Sequence, residues 1–425
     1  MRRGPLSFER LCAIPASSRD DESSLRYPGW HVVWACFLLE LFIFGFGLYG
    51  HSVYLAEFQR LEGWGTAVVS TASTLSLLLG NLLAAFSNDA LVWIGPRRLV
   101  FLGISALAAS TTLLAFTSAP WQLFAAYMLM AVSWAGMGTV VVATLLRSWF
   151  DRRSGLAISL AFNGATCGGI IEAPTLILLV GAVGFTWAML TMTVAMIGIL
   201  GPVVMTVIGL PAASGAGGHR TEDPPRPSNV VPSSTSRWSL LGNFGFWTIT
   251  TPFALALLAQ IGFIVHQVAL LEPTLDRSLA AVAVAITTIM AVAGRLCFGM
   301  VVDRLDPRWT TTVSLTTQAG ALVVIALSPN VMNLFLACAV YGFSIGNLIT
   351  LPPLIIHREF DRAIFGTVLG LSTAIGGTIS ALGPGLVGFV QVATGGYTAA
   401  LLFCVMLKLV AAATVLLPPR PAVGA

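Results

Sequence analysis

The chain is 425 residues long, 56% hydrophobic and only 9% charged, with a formal net charge of +4. A soluble domain carries about 25% charged residues, so a water-soluble globule of this size is excluded. The small positive balance gives no sign of a nucleic-acid partner.

The first 28 residues hold five arginines and lack the apolar core of a signal peptide, so 1–28 is expected to be a cytoplasmic tail. Apolar blocks follow, such as Trp34 to Leu48, interrupted only by Glu40. Each approaches the roughly 20 residues that cross the hydrocarbon core as a helix. Lipid cannot satisfy open backbone groups, so the spans must be helical. Six are expected near 30–56, 65–86, 98–117, 121–146, 155–180 and 186–210, forming a bundle over 29–210. A Pro-, Ser- and Gly-rich linker, 211–242, separates them from six more near 246–271, 279–302, 310–328, 331–356, 364–390 and 397–418. The second bundle then covers 243–418, and 419–425 is a short tail. With the N-terminus inside, 18 of the 22 Lys and Arg residues are cytoplasmic, which orients the chain with both ends inside. The expected fold is all-α integral membrane, with twelve transmembrane helices in two pseudo-symmetric six-helix bundles.

The halves repeat one another. GLYGHSVYLAEF from Gly47 aligns without gaps to GFIVHQVALLEP from Gly262, pairing His51 with His266 and Glu57 with Glu272. GNLLAAFSND from Gly80 aligns to GRLCFGMVVD from Gly294, ending at Asp89 and Asp303. Phe150-Asp151-Arg152 recurs as Phe360-Asp361-Arg362, and Pro174 as Pro384. A six-plus-six duplication fits halves that rock about a solute site at mid-membrane. The six cysteines lack metal spacing, and no nucleotide loop or Ser-His-Asp pattern is present, so no cofactor and no enzymatic activity are expected.

GRLCFGMVVDRLDPRW, with Gly294, Gly299, Asp303, Arg304 and Arg308, resembles the loop signature of the major facilitator superfamily; the first-half copy keeps Asp89 but is degraded. A narrower resemblance is to the monocarboxylate transporters and their bacterial relatives. It rests on Pro28-Gly29-Trp30 and on WFDRRSGLAISLAFNGATCGG from Trp149, which matches at Trp149, Phe150, Arg152, Arg153, Leu156, Ala157, Ala161, Gly164 and Gly168. The family's glycine at Ser159 is absent. The resemblance implies proton-linked symport of a small organic monoanion, such as lactate or pyruvate. One chain already supplies both halves, so a working monomer is expected, and the excess of Arg over Lys with short loops points to a bacterial inner membrane. Another solute (an aromatic acid, a neutral metabolite or a drug) and a non-transporting sensor are the alternatives.

Arg295 lies about 24 Å along the eighth span. An arginine at mid-membrane costs about 2.5–3.5 kcal/mol, and its planar fork suits a carboxylate; the resemblance places the substrate-binding arginine here. The alternative is a structural arginine paired with an internal acid. His51 aligns with the family's first-helix lysine, and His266 is its repeat partner, so both are candidate substrate ligands, with core histidines as the bland reading. Glu40, Glu172 and His51 are candidate proton carriers. Lys408, the only lysine, is expected to pack against a glutamate or to snorkel. Asp89, Asp303, Arg304, Arg308, Arg152 and Arg153 are expected to form a charge cluster that gates the inner face. The family's acid four residues before the arginine is Ala291 here, which departs from the usual proton-coupling arrangement.

Overall fold

The computed structural model describes residues 24, 27–150, 153–208, 240–301, 305–328, 330–346, 348, 350–360 and 364–417. Nearly all of the expected N-terminal tail and of the linker, the C-terminal tail, and Asp151, Arg152, Asp303, Arg304, Asp361 and Arg362 fall outside these residues.

All regular structure among the described residues is helical. The N-terminal six spans are α1 (Gly29–Leu61), α2 (Thr66–Ala84), α3 (Pro96–Ala115), α4 (Pro120–Arg147), α5 (Ser154–Val183) and α6 (Phe185–Thr206). A short helix, Ser87–Ile94, links α2 to α3. Prolines 96 and 120 occupy first helical turns, where no intrahelical donor is lost. Gly95 and Gly184, at φ +80° and +82°, turn the chain between α2 and α3 and between α5 and α6. A side chain is disfavoured in that left-handed conformation.

The second half opens with one helical stretch, Phe244–Val301, broken at Asp276 (φ 56°, ψ 174°). We label its parts α7 (244–275) and α8 (277–301). The expected spans leave seven residues, 272–278, for this loop; the turn is made by one. Asp tolerates positive φ better than most residues, and its Oδ1 accepts the Leu279 N–H at 3.0 Å, capping α8. α9 (Pro307–Leu327) is capped by Asp306 and α10 (Val331–Ile345) by Asn330. α10 is continued after a break by Leu351–Glu359. α11 comprises Phe365–Ala381 and Gly383–Thr394, and α12 is Tyr397–Val415. Among the described residues, ten helical stretches are long and apolar enough to span a membrane. One contains both α7 and α8, and the shorter α10 completes the twelve. Large apolar side chains such as Trp34, Trp121, Trp187 and Phe389 are two-thirds exposed around the bundle, which suits contact with lipid tails.

The duplication is visible in backbone packing. A Cβ at Gly168 of α5 would strike Leu41 O and Gly45 of α1; a Cβ at Gly383 of α11 would strike Leu258 O and Gly262 of α7. The same close approach therefore recurs, pairing Gly45 with Gly262 at an offset of 217. The ungapped alignment paired Gly47 with Gly262, two residues out of step. The displacement sits where α1 departs from α-geometry: Gly45–Tyr49 is a π-helical turn, a form that accommodates inserted residues within a helix. Pro174 and Pro384 are likewise not equivalent, because Pro384 follows Gly383 whereas Pro174 lies six residues beyond Gly168. The Gly80–Gly294 pairing does recur as packing, with Gly80 against Trp134 of α4 and Gly294 against the Phe343 backbone of α10.

Candidate functional site at the interface of the halves

The halves meet through α1, α2 and α5 on one side and α7, α8 and α11 on the other. One membrane face carries the α1–α2 and α7–α8 turns; we call it the first-turn face. The opposite face carries Ser87–Arg98 and the start of α9. Val268, Ala269, Ala281 and Val284 of the second half are built into the hydrophobic core of the first. Toward mid-depth the contacts become polar: Gly385 N–H donates to Thr74 Oγ1 at 2.7 Å, and Asn81 Nδ2 to Gly377 O at 3.0 Å.

Arg295 lies in this polar zone. Its Nε donates to Gly346 O at 3.1 Å and its Nη1 to Thr166 Oγ1, across the interface, at 3.4 Å. Both acceptors are neutral, and among the described residues no carboxylate pairs with it. The Tyr49 phenol at the end of the π-helical turn is within electrostatic reach of the guanidinium. Its ring and Thr288 of α8 both lie against Gly169 of α5. Tyr49, Thr166, Gly169, Thr288 and Arg295 thus converge from α1, α5 and α8. Arg295 corresponds in the repeat to Asn81, which also bridges the halves, so the duplication supplies two crossing side chains and only one of them is a cation. Thr166 and Thr288 were not legible as site residues, because a threonine in an apolar span satisfies itself on its own helix by default; Thr288 does also bond Val284 O and Ala285 O.

The histidines diverge. His51 is buried inside the N-terminal bundle, with Nε2 3.2 Å from Met130 Sδ and its ring 4.6 Å from that of Tyr127. His266 faces α11 and α12: Nε2 is 3.0 Å from Pro384 O and Nδ1 is 3.2 Å from Tyr397 Oη. A carbonyl only accepts, so Nε2 carries the proton and Nδ1 accepts from the phenol. Neither ring is hydrogen-bonded to Arg295.

Of the expected inner gate, Asp89 and Arg153 are exposed, while Arg152, Asp303 and Arg304 lie outside the described residues. Arg308 forms a fork with Glu359 (2.5 and 2.7 Å) and donates to Thr248 Oγ1, Val415 O and Leu417 O. All these partners belong to the second half, where they tie α7, α9, α12 and the Leu351–Glu359 segment together. A charge cluster that does join the halves lies on the first-turn face. There, buried Glu57 pairs with Arg60 of its own helix at 2.6 Å and with Arg277 of α8, and Arg277 reaches Glu272 at 3.5 Å.

This architecture can be placed among known proteins. The sequence profile of the Major Facilitator Superfamily matches residues 37–371. The chain belongs to that superfamily. It is a multi-pass membrane transporter by family and fold. Among its relatives, human monocarboxylate transporter 11 is 27% identical, over 88% of this chain and 79% of the relative. The MFS-type transporter dbaD of Emericella nidulans is 23% identical, over 74% of this chain and 67% of its own. Two solved structures share the fold. A bacterial homologue of the lysosomal transporter Spinster, inward-facing and unoccupied, has a TM-score of 0.72 at 13% identity, covering 92% of this chain and 97% of that one. The nucleoside transporter NupG also scores 0.72, at 14% identity, covering 91% and 98%.

Within this superfamily member, three intramembrane charges stand away from the interface. Glu40 and Glu172 are buried between α1 and α5, and neither carboxyl has a hydrogen-bond partner among the described residues. Lys408 neither meets a glutamate nor snorkels. It is fully buried, donates to Gln318 Oε1 at 2.6 Å and Ala256 O at 3.1 Å, and lies 5.5 Å from the Tyr341 ring centroid. The correction has a simple cause: α12 turns this residue toward α7, α9 and α10, where oriented dipoles replace a counter-ion.

Proposed function

We propose that this transporter moves a small organic monoanion, such as lactate or pyruvate, by alternating access and together with a proton. The observation that carries the proposal is Arg295: a guanidinium at the seam of the two halves whose protein partners are neutral. A cation so placed calls for an anion, and its planar fork matches a carboxylate. Tyr49, Thr166 and Thr288 frame the same position with hydroxyl groups. One such cation suits a monoanion better than a dicarboxylate. Similarity to monocarboxylate transporter 11 supports this class. Proton linkage falls to the candidates Glu40, Glu172 and His51, because Ala291 occupies the family's usual acid position. Arginine placement favours both termini in the cytoplasm of a bacterial inner membrane, and the first-turn face then looks outward. One chain supplies both halves of the pathway and acts as a monomer.

The test is uptake of labelled lactate, pyruvate and other monoacids into proteoliposomes, with and without an inside-alkaline gradient. Uptake should rise with the gradient in the parent and vanish in Arg295→Ala. A folded parent that moves none of the acids refutes the monoanion reading and favours another solute class; Ala291 suits that outcome.

A further inference from the structure

The duplication supplies an internal control for one buried acid. Gly45 and Gly262 occupy equivalent positions in α1 and α7, each packed on a glycine of the facing helix, Gly168 or Gly383. One turn beyond that glycine lies Glu172 in the first half and Val387 in the second. Each sits directly over its partner glycine: a Cβ at Gly45 would overlap the Glu172 carboxyl, and one at Gly262 would fall 2.6 Å from Val387 Cγ2. The packing position is thus filled by an apolar side chain in one half and by a carboxyl in the other. Packing alone does not require the acid. Glu40 also has an apolar counterpart at the same offset, Leu257, but it lies against Gly164 and not at the π-helical turn.

Two further features set Glu172 apart. Its carboxyl rests on Gly45, the first residue of the π-helical turn, whereas α7 is α-helical at Gly262. The turn ends at Tyr49, whose ring lies on Gly169, three residues before Glu172 and on the same face of α5. Tyr49 in turn is within electrostatic reach of Arg295. Contact therefore runs from the Glu172 carboxyl through Gly45–Tyr49 to a phenol within electrostatic reach of the guanidinium.

We propose that Glu172 is the proton-loading site of the transport cycle, and that the π-helical turn of α1 couples its protonation to the Arg295 site; this rests on the proton-linked reading above. A neutral acid fits the glycine niche, where both oxygens lack a partner among the described residues. An ionised carboxylate there has no adjacent cation, and burying it uncompensated is strongly unfavourable. The other ionisable groups on the elements around it are His31, Cys36, Glu40, Tyr49, His51, Tyr54, Glu57 and Arg60 of α1, Cys167 of α5 itself, and Arg277, Arg295 and Cys297 of α8. The short Thr139–Arg147 segment adds Arg147, which is exposed, and α6 offers none. Tyr54 lies within electrostatic reach of Glu172. When the carboxyl O–H breaks and the proton passes to water, the carboxylate must leave the niche. The turn is then free to relax toward α-geometry, and each residue of register lost rotates the following segment by about 100°. That rotation withdraws Tyr49 from Gly169 and Arg295. Glu172 is a positioning residue in this scheme, since it touches no substrate.

Two measurements on the full-length protein test the proposal. Infrared difference spectra in nanodiscs, recorded without any transported acid, should show a carboxylic-acid C=O band that disappears as pH rises. Glu172→Gln should lack it; an unchanged titrating band in that variant overturns the proposal. In proteoliposomes, Glu172→Val, which copies the packing of Val387, should lower gradient-driven lactate accumulation about tenfold relative to lactate counterflow. An unchanged ratio also overturns it. If the parent moves no lactate, the monoanion reading has failed, and the infrared band alone decides whether Glu172 carries the proton.

Discussion

Glu57 and Arg277 form an ion pair across the two halves of the transporter, from the end of α1 to the first residue of α8. Glu57 is almost fully buried, and Arg277 is one-fifth exposed. The pair closes the first-turn face, where the hydrophobic cores of the halves also merge. Glu57 and Glu272 are repeat partners in sequence, and both reach Arg277. Arg277→Gln removes the charged bond and leaves Glu57 with Arg60 alone. Loss of a charge-assisted hydrogen bond is worth about 1.5–3 kcal/mol, so the equilibrium should shift about 10- to 100-fold toward opening of this face. Spin labels at the exposed positions Leu61 and Leu279 should move apart in the variant; an unchanged distance distribution would show that the pair does not hold the face shut.

Arg295→Lys keeps the charge but loses the fork that donates to Gly346 O and Thr166 Oγ1 while addressing a ligand. Transport of a monoacid should fall by about tenfold or more, corresponding to one lost strong hydrogen bond. Initial uptake rates in proteoliposomes check this. Parent-like rates in the lysine variant would exclude bidentate carboxylate binding.

Arg308 spans four chain segments, all in the second half. Arg308→Lys should lower unfolding stability by about 2–4 kcal/mol through the lost fork without moving labels placed across the two halves. Thermal unfolding in detergent, read beside the same spin-label distances, separates this stapling role from gating. A shift in the distances would restore Arg308 to the gate.

Lys408 and Gln318 form a buried unit in which Gln318 also donates to Ser314 Oγ and Ser344 O. Gln318→Leu leaves a buried ammonium short of its nearest acceptor and should destabilise by about 3–5 kcal/mol. Adding Lys408→Met removes the stranded charge, so the double variant should recover much of that loss. A double-mutant cycle on unfolding midpoints reads the coupling; strictly additive effects would mean the pair is not a unit.

The spans, the two-bundle plan and the placement of Arg295 in the eighth helix were all legible in the sequence. Membrane insertion acts on local stretches of about 20 residues, and hydropathy over such a window is a property of neighbours in the chain. A recurring His, Asp or Arg likewise needs no coordinates to be seen. Rotation about each helix axis and the crossing of helices from opposite halves decided the rest, because they depend on residues 90 or more positions apart. The two-residue slip between Gly45 and Gly262 appears only once α5 and α11 show which glycines they touch. The sequence alone points Lys408 to a glutamate or to the membrane edge, whereas α12 turns it onto Gln318. Glu57 and Arg277 are 220 positions apart, and they pair because Asp276 turns the chain in a single residue and presents the next side chain to the other half.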